Sequence, residues 1–351
     1  MADCGEKINK KFKFDFQMPE KASYSVEELK RFISLDKNPV LTFYGGEPLL
    51  EIEKIKNIMD NIRARYIVQT NGLLLDKIPS EYVNKFDKIL VSIDGNKEIT
   101  DFNRGIGTYD KLIENISLIR KNGFKGELIA RMTLSSSGAY NNIYENVKHL
   151  VEIGFNSIHW QIDAGFYEDD WKNNEKEIRQ FFNEYTDKII KLSKFWIDEM
   201  NNGRVLKLYP LLGIFDSLSN GKKFQLRCGS GYSNYTISPD GAISVCPIMF
   251  DMKDFFVGNI KTSNPNKLKK IYVKNFCLDC DILNICGGRC LYSNYAELWP
   301  VDGQKLICDS VRNLIDSVKE IIPEIKKLIK QGKISERDFS YEEFSGPEII
   351  P

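Results

Sequence analysis

Half of the chain's eight cysteines lie in one stretch of fourteen residues, "CLDCDILNICGGRC", from Cys277 to Cys290. Two, five and three residues separate these four thiols in turn. Cysteines that only pack in a core would be scattered along strands and helices. Three more occur in the C-terminal part of the chain, at Cys228, Cys246 and Cys308. This grouping indicates that the thiols bind something.

The number and spacing of the thiols favour an iron–sulfur site. Thiolates are soft ligands that suit zinc or iron–sulfur clusters, and four of them close one tetrahedral zinc site or one cubane cluster. Seven close one site and leave three ligands for another. The spacing is not that of two CxxC zinc knuckles, so zinc is the weaker interpretation. Disulfides are weaker still, because the cytosol keeps thiols reduced and the first residues carry no apolar signal core.

Composition argues against two classes of partner. Lys plus Arg number 49 and Asp plus Glu number 49, so the formal net charge is zero, which argues against binding nucleic acid through a broad basic field. No apolar run approaches the length of about 20 residues that a membrane span needs. We therefore expect a cytoplasmic protein with neither a nucleic-acid partner nor a membrane partner.

Short apolar segments alternate with helical patterns along the N-terminal part of the chain. Strands separated by helices predict an α/β fold with a parallel sheet, and such folds gather ligand chemistry at the carboxyl ends of the strands. Ser25 and Glu28 have the spacing of a capping box before a helix. The predicted strands are 39–46, 65–72, 88–95, 127–135 and 157–164; the predicted helices are 108–123, 141–154, 172–202 and 309–331; a hairpin is predicted at 235–246.

The thiol pattern, C-x12-G-x4-C followed by C-x2-C-x5-C-x3-C and a last cysteine, resembles the SPASM domain at the C-terminus of many radical SAM enzymes. Independently, "FYGGEPLL", "QTNG" and "VSIDG" resemble motifs of that superfamily, in the same order along the chain. The resemblance implies a partial (β/α)6 TIM-like barrel over residues 1–205, without its first strand. A small, cysteine-rich α+β SPASM domain over 206–332 and a tail over 333–351 would follow.

The resemblance also implies a site for S-adenosylmethionine at the strand ends. Glu47 offers a carboxylate to the amino group, Ser92 belongs to the region that contacts the ribose, and the Arg131 guanidinium suits a carboxylate. A tight turn with a solvated Glu47, and a salt bridge made by Arg131, stay open as alternatives. The expected cofactor-binding residues are Gly45, Gly46, Glu47, Pro48, Ser92 and Arg131.

Two further side chains were weighed for catalysis. Asp94 follows "VSI" at a predicted strand end, where it would bind or deprotonate substrate, or merely cap the turn. His159 lies in the last predicted strand, and there we expect a core histidine rather than a catalytic one.

The family's cluster ligands can be carried over position by position. One auxiliary 4Fe-4S cluster would be fully ligated by Cys277, Cys280, Cys286 and Cys308, called here the four-thiol group. A second would be held by Cys228, Cys246 and Cys290, the three-thiol group. Residues 229–245 contain no cysteine, so the second cluster would have an open iron or a non-cysteine ligand.

One family motif is absent from this sequence. In the superfamily, C-x3-C-x2-C after the first barrel strand holds the cluster that cleaves S-adenosylmethionine, yet the only cysteine before "YGGEP" is Cys4. We expect that Met1 is an internal methionine, that the upstream reading frame encodes the missing strand and motif, and that Cys4 is not a ligand. The 351-residue chain alone would then be inactive.

The resemblance implies an enzyme that modifies a peptide or protein through a 5′-deoxyadenosyl radical, with a reductase or ferredoxin-type electron donor. Two other hypotheses stay open: a non-catalytic iron–sulfur protein that transfers electrons or binds a peptide, and a zinc-stabilised binding module. Iron in excess of zinc would favour the enzyme and the non-catalytic iron–sulfur protein over the zinc module. Cleavage of S-adenosylmethionine would then separate the enzyme from the non-catalytic protein.

Overall fold

The structure is a computed structural model that describes residues 11–136 and 142–351. The chain divides into two units. The first unit comprises Phe12–Arg131 and Gly231–Ile271. The second unit comprises Met132–Ser230 and Tyr272–Pro351, together with Lys11. The expectations for Met1 and Cys4 fall outside the described residues.

Six strands form the main sheet in chain order, and the pairs β1–β2, β2–β3, β3–β4 and β5–β6 are parallel. The predicted α/β class and the five predicted strands are confirmed. The sixth strand was missed because two residues are too short to show a period. The strands are β1 (Val40–Phe43), β2 (Arg65–Thr70), β3 (Phe86–Ser92), β4 (Glu127–Ser135), β5 (Ser157–Asp163) and β6 (Lys207–Leu208).

A second, antiparallel sheet lies in the first unit, with the order β7-β8-β9. The predicted hairpin is confirmed: its turn contains Gly241 with φ of +87°, a conformation that favours glycine. The strands are β7 (Thr236–Ile237), β8 (Ala242–Ser244) and β9 (Phe256–Asn259).

Eleven α-helices lie in the part of the chain that the structure describes. None of them is both long and apolar enough to cross a membrane. They are α1 (Val26–Ile33), α2 (Ile52–Asn61), α3 (Ser80–Val83), α4 (Lys97–Arg104), α5 (Thr108–Lys121), α6 (Ile143–Glu152), α7 (Glu168–Asn201), α8 (Tyr209–Asn220), α9 (Leu283–Cys286), α10 (Leu291–Ala296) and α11 (Val301–Lys330).

Helix α1 begins with the predicted capping box. The Glu28 backbone N–H donates to Ser25 Oγ at 3.1 Å, and the Ser25 N–H donates to Glu28 Oε2 at 2.9 Å. Each bond satisfies a backbone group that the first helical turn leaves without an internal partner. The local sequence therefore fixes where this helix starts.

The last helix starts earlier than predicted. Helix α11 begins at Val301 rather than at residue 309, because Pro300 stands at the N-cap and its extended backbone leads into the first turn. Cys308 is consequently a helical residue. In the tail, Ile350 is only 1 % exposed.

Helix α1 buries its apolar face in a core of the first unit. Leu29, Phe32 and Ile33 pack in one cluster with Ile243 of β8 and with Ile260. Because helix stability in proteins comes mainly from such a buried face, this contact ties the helix to the small sheet.

We expect Phe32→Ala to lower the free energy of unfolding by about 3–5 kcal/mol, since it removes a buried ring and leaves a cavity. Urea unfolding followed by circular dichroism measures the change. Lys30→Ala, on the exposed face of the same helix, is the matched control and should change little. Equal effects of the two substitutions would contradict the assigned core face.

Candidate functional site

The Glu47 carboxylate joins two strand ends of the first unit. Its Oε1 accepts from the Leu49 N–H at 2.9 Å and from Thr70 Oγ1 at 2.8 Å. Its Oε2 accepts from the Asn71 N–H at 2.7 Å. These three donors hold the loop after β1 against the end of β2. The expected hydrogen bond from an amino group to Glu47 stays a prediction. It would come in addition to the three hydrogen bonds that the carboxylate already accepts.

The two glycines before Glu47 meet different demands. Gly45 has φ of +152°, which L side chains rarely adopt, so the backbone itself requires glycine there. Gly46 has no such φ, and a Cβ built at either glycine would meet no atom within 4 Å. The space in front of this turn is therefore open. Pro48 then starts a short 3-10 turn, Pro48–Glu51.

Ser92 ends β3, and Arg131 lies in the middle of the neighbouring strand β4. Their Cα atoms are register partners in the β3–β4 pair, and the Ile93 N–H donates to Arg131 O at 3.2 Å. Burial lowers the pKa of the Arg131 guanidinium, an effect that Tyr44 opposes. The residue after β1, the end of β3 and the middle of β4 thus contribute to one region.

Asp94 is held by a fork of hydrogen bonds. Arg104 Nε donates to Asp94 Oδ2 at 2.8 Å, and Arg104 Nη2 donates to Oδ1 at 2.8 Å. Asn103 Nδ2 adds a bond to Oδ2 at 3.2 Å. Asp94 is only 1 % exposed. These contacts join the loop after β3 to the end of α4, and the catalytic role of Asp94 stays a prediction.

The four-thiol group lies within the second unit. Burial, together with the nearby thiols of Cys286, Cys308 and Cys280, raises the pKa of Cys277 to about 12. Burial likewise raises the pKa of Cys308 to about 11, with contributions from Cys286 and Cys280. The four sulfurs are therefore close enough to act on one another. As thiolates they would repel, and a bound metal removes that repulsion.

Nitrogen donors surround these sulfurs. Asn294 Nδ2 donates to Cys277 Sγ at 3.4 Å, and Arg312 Nη2 donates to Cys280 Sγ at 3.6 Å. Backbone N–H groups of Gly288 and Arg289 lower the pKa of Cys286, against the larger effect of burial. Such donors suit sulfurs that carry negative charge.

Over residues 11–136 and 142–351, no three His, Cys, Asp or Glu side chains converge closely enough to hold one metal ion.

Members of the three-thiol group lie in both units. Cys228 and Cys290 belong to the second unit, where burial raises the pKa of Cys228 and both Cys290 and Glu348 raise it further. Cys246 belongs to the first unit, just after β8, and is buried. The assignment of these three cysteines to one cluster stays a prediction.

Sequence reasoning missed two arginines beside the thiols. Arg227 is 1 % exposed and Arg289 is 8 % exposed. Both lower the pKa of Cys286. The signal was present in the sequence, because each arginine directly precedes a predicted ligand, in "LRC" and "GGRC". Sequence alone did not show that the guanidinium groups turn inward.

Residues 10–134 match the family model of the radical SAM superfamily. This N-terminal third of the chain is therefore similar to the radical SAM superfamily. The match covers the strand-end loops described above, from Gly45 to Arg131.

Individual proteins are similar to this chain over most of its length. The radical SAM cyclopropyl synthase TigE of Paramaledivibacter caminithermalis is 23% identical over 326 residues, which are 85% of this chain and 64% of that protein. This chain therefore spans less than two thirds of that relative. The solved structure of anSMEcpe with bound AdoMet has a TM-score of 0.64 at 19% identity, over 92% of this chain and 95% of that one. A second anSMEcpe structure, with AdoMet and the Kp18Cys peptide, has a TM-score of 0.63 at 18% identity, over 90% of this chain and 91% of that one. These likenesses show the fold.

Two side chains of β5 also bear on the candidate site. His159 is fully buried, in line with the expected core position. Asp163 ends the strand, and burial raises its pKa to about 6, with Asp170 raising it and Arg289 lowering it. A carboxyl group at a strand end with a pKa near neutrality is a candidate for proton transfer, although structural networks also shift pKa values.

We expect Asp94→Asn to cost about 3 kcal/mol of folding free energy, because it leaves the Arg104 guanidinium without its charged partner. Urea unfolding measures this loss. Asp110→Asn is the matched control, since its ion pair with Lys97 is exposed on both sides, and its effect should be much smaller. Stability unchanged by Asp94→Asn would favour a functional role over a structural one.

Asp163 should make stability depend on pH. Its folded pKa of about 6 lies above the usual value of about 3.9. Between these two pH values the folded state keeps the Asp163 proton, whereas the unfolded state has released it. The contribution of Asp163 to stability should therefore fall as pH rises from about 4 to about 6 and then stay constant. Unfolding midpoints of the wild type and Asp163→Asn at pH 5, 6, 7 and 8 test this. Parallel pH profiles of the two proteins would contradict the raised pKa.

Proposed function

We propose that this chain is part of a radical SAM enzyme that modifies a peptide or protein and uses two auxiliary 4Fe-4S clusters. The observation that carries the proposal is the four-thiol group of the second unit, whose half-buried sulfurs act on one another beside two buried arginines. One thiol among hydrophobic residues would be an ordinary core cysteine. Four of them with donors on their sulfurs form a ligand set.

The charges around the thiols fit a negatively charged cluster. A buried guanidinium costs several kcal/mol unless a negative group compensates it, and neutral thiols do not. Asp216 acts on Arg227 and Asp163 acts on Arg289, and ligated thiolates would add further negative charge beside both. The residues present therefore fit the implied cluster, which would be held by Cys277, Cys280, Cys286 and Cys308. Cys228, Cys246 and Cys290 are proposed for the second cluster by resemblance alone.

The strand ends of the first unit fit S-adenosylmethionine. The open turn at Gly45 and Gly46 leaves room for a ligand close to the backbone, and Glu47 holds this turn against β2. Arg131 supplies a guanidinium suited to a carboxylate. In this superfamily the bound cofactor, cleaved by reduction, supplies the radical that abstracts hydrogen. The protein's own residues bind and orient it.

A peptide is the proposed substrate class. Support comes from the structures of anSMEcpe that are similar to this chain, since one of them contains a bound peptide. The similar cyclopropyl synthase TigE is also described as a radical SAM enzyme. We further propose a reductase or ferredoxin-type protein as the source of electrons.

One observation favours a second candidate, a non-catalytic iron–sulfur protein. The sequence contains no C-x3-C-x2-C, so the 351 residues alone do not offer the three thiolates that hold the radical-generating cluster in the family. Release of 5′-deoxyadenosine under reducing, anaerobic conditions separates the two candidates. A protein that binds iron and never cleaves S-adenosylmethionine, even with the expected upstream segment, would be the second.

We expect Cys280→Ala to yield insoluble protein or protein with fewer irons, because ligand loss opens the cluster and metal binding is coupled to folding. Iron and acid-labile sulfide are measured after anaerobic reconstitution. Cys4→Ala is the matched control and should keep the full content. Soluble Cys280→Ala protein with unchanged iron would refute the ligand assignment, and colourless wild-type protein with stoichiometric zinc would refute both iron–sulfur candidates.

A further inference from the structure

Two buried arginines approach the four-thiol group from different parts of the second unit. Arg227 follows the loop after α8, and Arg289 lies in the loop between α9 and α10. Both are nearly inaccessible to solvent, and both act on the Cys286 thiol. Arg289 additionally lowers the pKa of Cys308. Burying a guanidinium costs free energy, so we expect each of these buried charges to have a structural or functional role.

Arg289 is fixed by backbone carbonyls at the end of β5. Its Nη1 donates to Ala164 O at 3.2 Å and its Nη2 donates to Ile162 O at 3.0 Å. The guanidinium also lies over the Phe166 ring, 6.0 Å from the centroid. Arg289 has φ of +55°, a strained value for a side chain of this size. The loop therefore accepts strain in order to present this cation.

Arg227 is fixed just as firmly. Its Nε donates to Ile285 O at 2.7 Å and its Nη2 donates to Ser217 Oγ at 2.6 Å. Gly213 of α8 makes room for it, since a Cβ there would lie 2.8 Å from Arg227 Nη1. The neutral carbonyl and hydroxyl oxygens orient the guanidinium and do not neutralise its positive charge.

These positive charges have a definite effect on a neighbouring redox centre. Reduction adds one electron, and nearby positive charge stabilises the more negative, reduced state. The effect is largest when the charge is buried, because the low local dielectric leaves the interaction unscreened. Hydrogen bonds and charge near the sulfurs are among the factors that set the potential of an iron–sulfur cluster.

We propose that Arg227 and Arg289 raise the reduction potential of the cluster at the four-thiol group. The inference rests on the proposed function, since it requires that cluster. The reaction concerned is a one-electron reduction in which no bond to the protein forms or breaks.

The test is a redox titration of the anaerobically reconstituted chain, with dithionite as reductant and electron paramagnetic resonance as the readout. Arg289→Gln and Arg227→Gln should each shift the midpoint potential to more negative values, because each removes one buried positive charge. Arg289→Lys and Arg227→Lys keep the charge and should shift it less.

Arg312→Gln is the matched control. Arg312 also donates to a ligand sulfur, Cys280 Sγ, but its side chain is 39% exposed and paired with Asp281. Solvent and the Asp281 carboxylate screen its charge, so the shift should be smaller than for either buried arginine.

The outcomes separate the inference from the proposed function. Wild-type protein without iron and sulfide overturns the proposed function. Full iron content with an unchanged potential in both glutamine variants overturns the inference alone. If the glutamine variants lose their iron, Asp163→Asn at pH 8 is the deciding variant. It removes a negative charge beside Arg289 and should raise the midpoint potential of the cluster. An unchanged midpoint potential would overturn the inference.

Discussion

The cost of burying charge governs the second unit. Arg227 and Arg289 are shielded from water, and the thiols beside them resist ionisation as long as nothing binds to them. Each group is unfavourable alone, and the proposed iron–sulfur cluster would relieve both, because its ligated thiolates would add negative charge beside the guanidinium groups. The ligand loop and the two arginines are thus best understood as one electrostatic assembly.

The first unit handles its acids differently. Glu47 and Asp94 follow different strands, and both are taken up by protein donors: backbone N–H groups and a hydroxyl for Glu47, a guanidinium for Asp94. Such contacts fix loops at the carboxyl edge of a parallel sheet, where a ligand needs preformed walls. The open space at Gly45 and Gly46 lies on the same loop. In this region the two carboxylates fix the loops, and the two glycines leave space for a ligand.

Local signals in the sequence predicted the elements with regular periods. The Ser25–Glu28 capping box and the apolar runs of β1 to β5 depend only on neighbouring residues, so pattern reasoning finds them. The pairing of Asp94 with Arg104 was not found, because several basic residues follow Asp94 and sequence does not rank them. The inward turn of Arg227 was missed for the same reason: it depends on Ile285, which is remote in sequence. Site residues are thus predictable by type, and their partners are not.

Backbone geometry explains why the arginines and the cysteines occupy adjacent positions. Gly287 and Gly288 both have positive φ, and a Cβ on Gly287 would lie 2.7 Å from Leu226 N, so the ligand loop packs directly on the segment that carries Arg227. The Leu226 N–H donates to Gly287 O at 2.7 Å across this contact. One close approach of two backbones therefore brings Arg227 toward Cys286. Arg289, which follows the two glycines, reaches the end of β5. The spacing "CGGRC" would serve two purposes at once: its cysteines are the proposed ligands, and the residues between them place the charge.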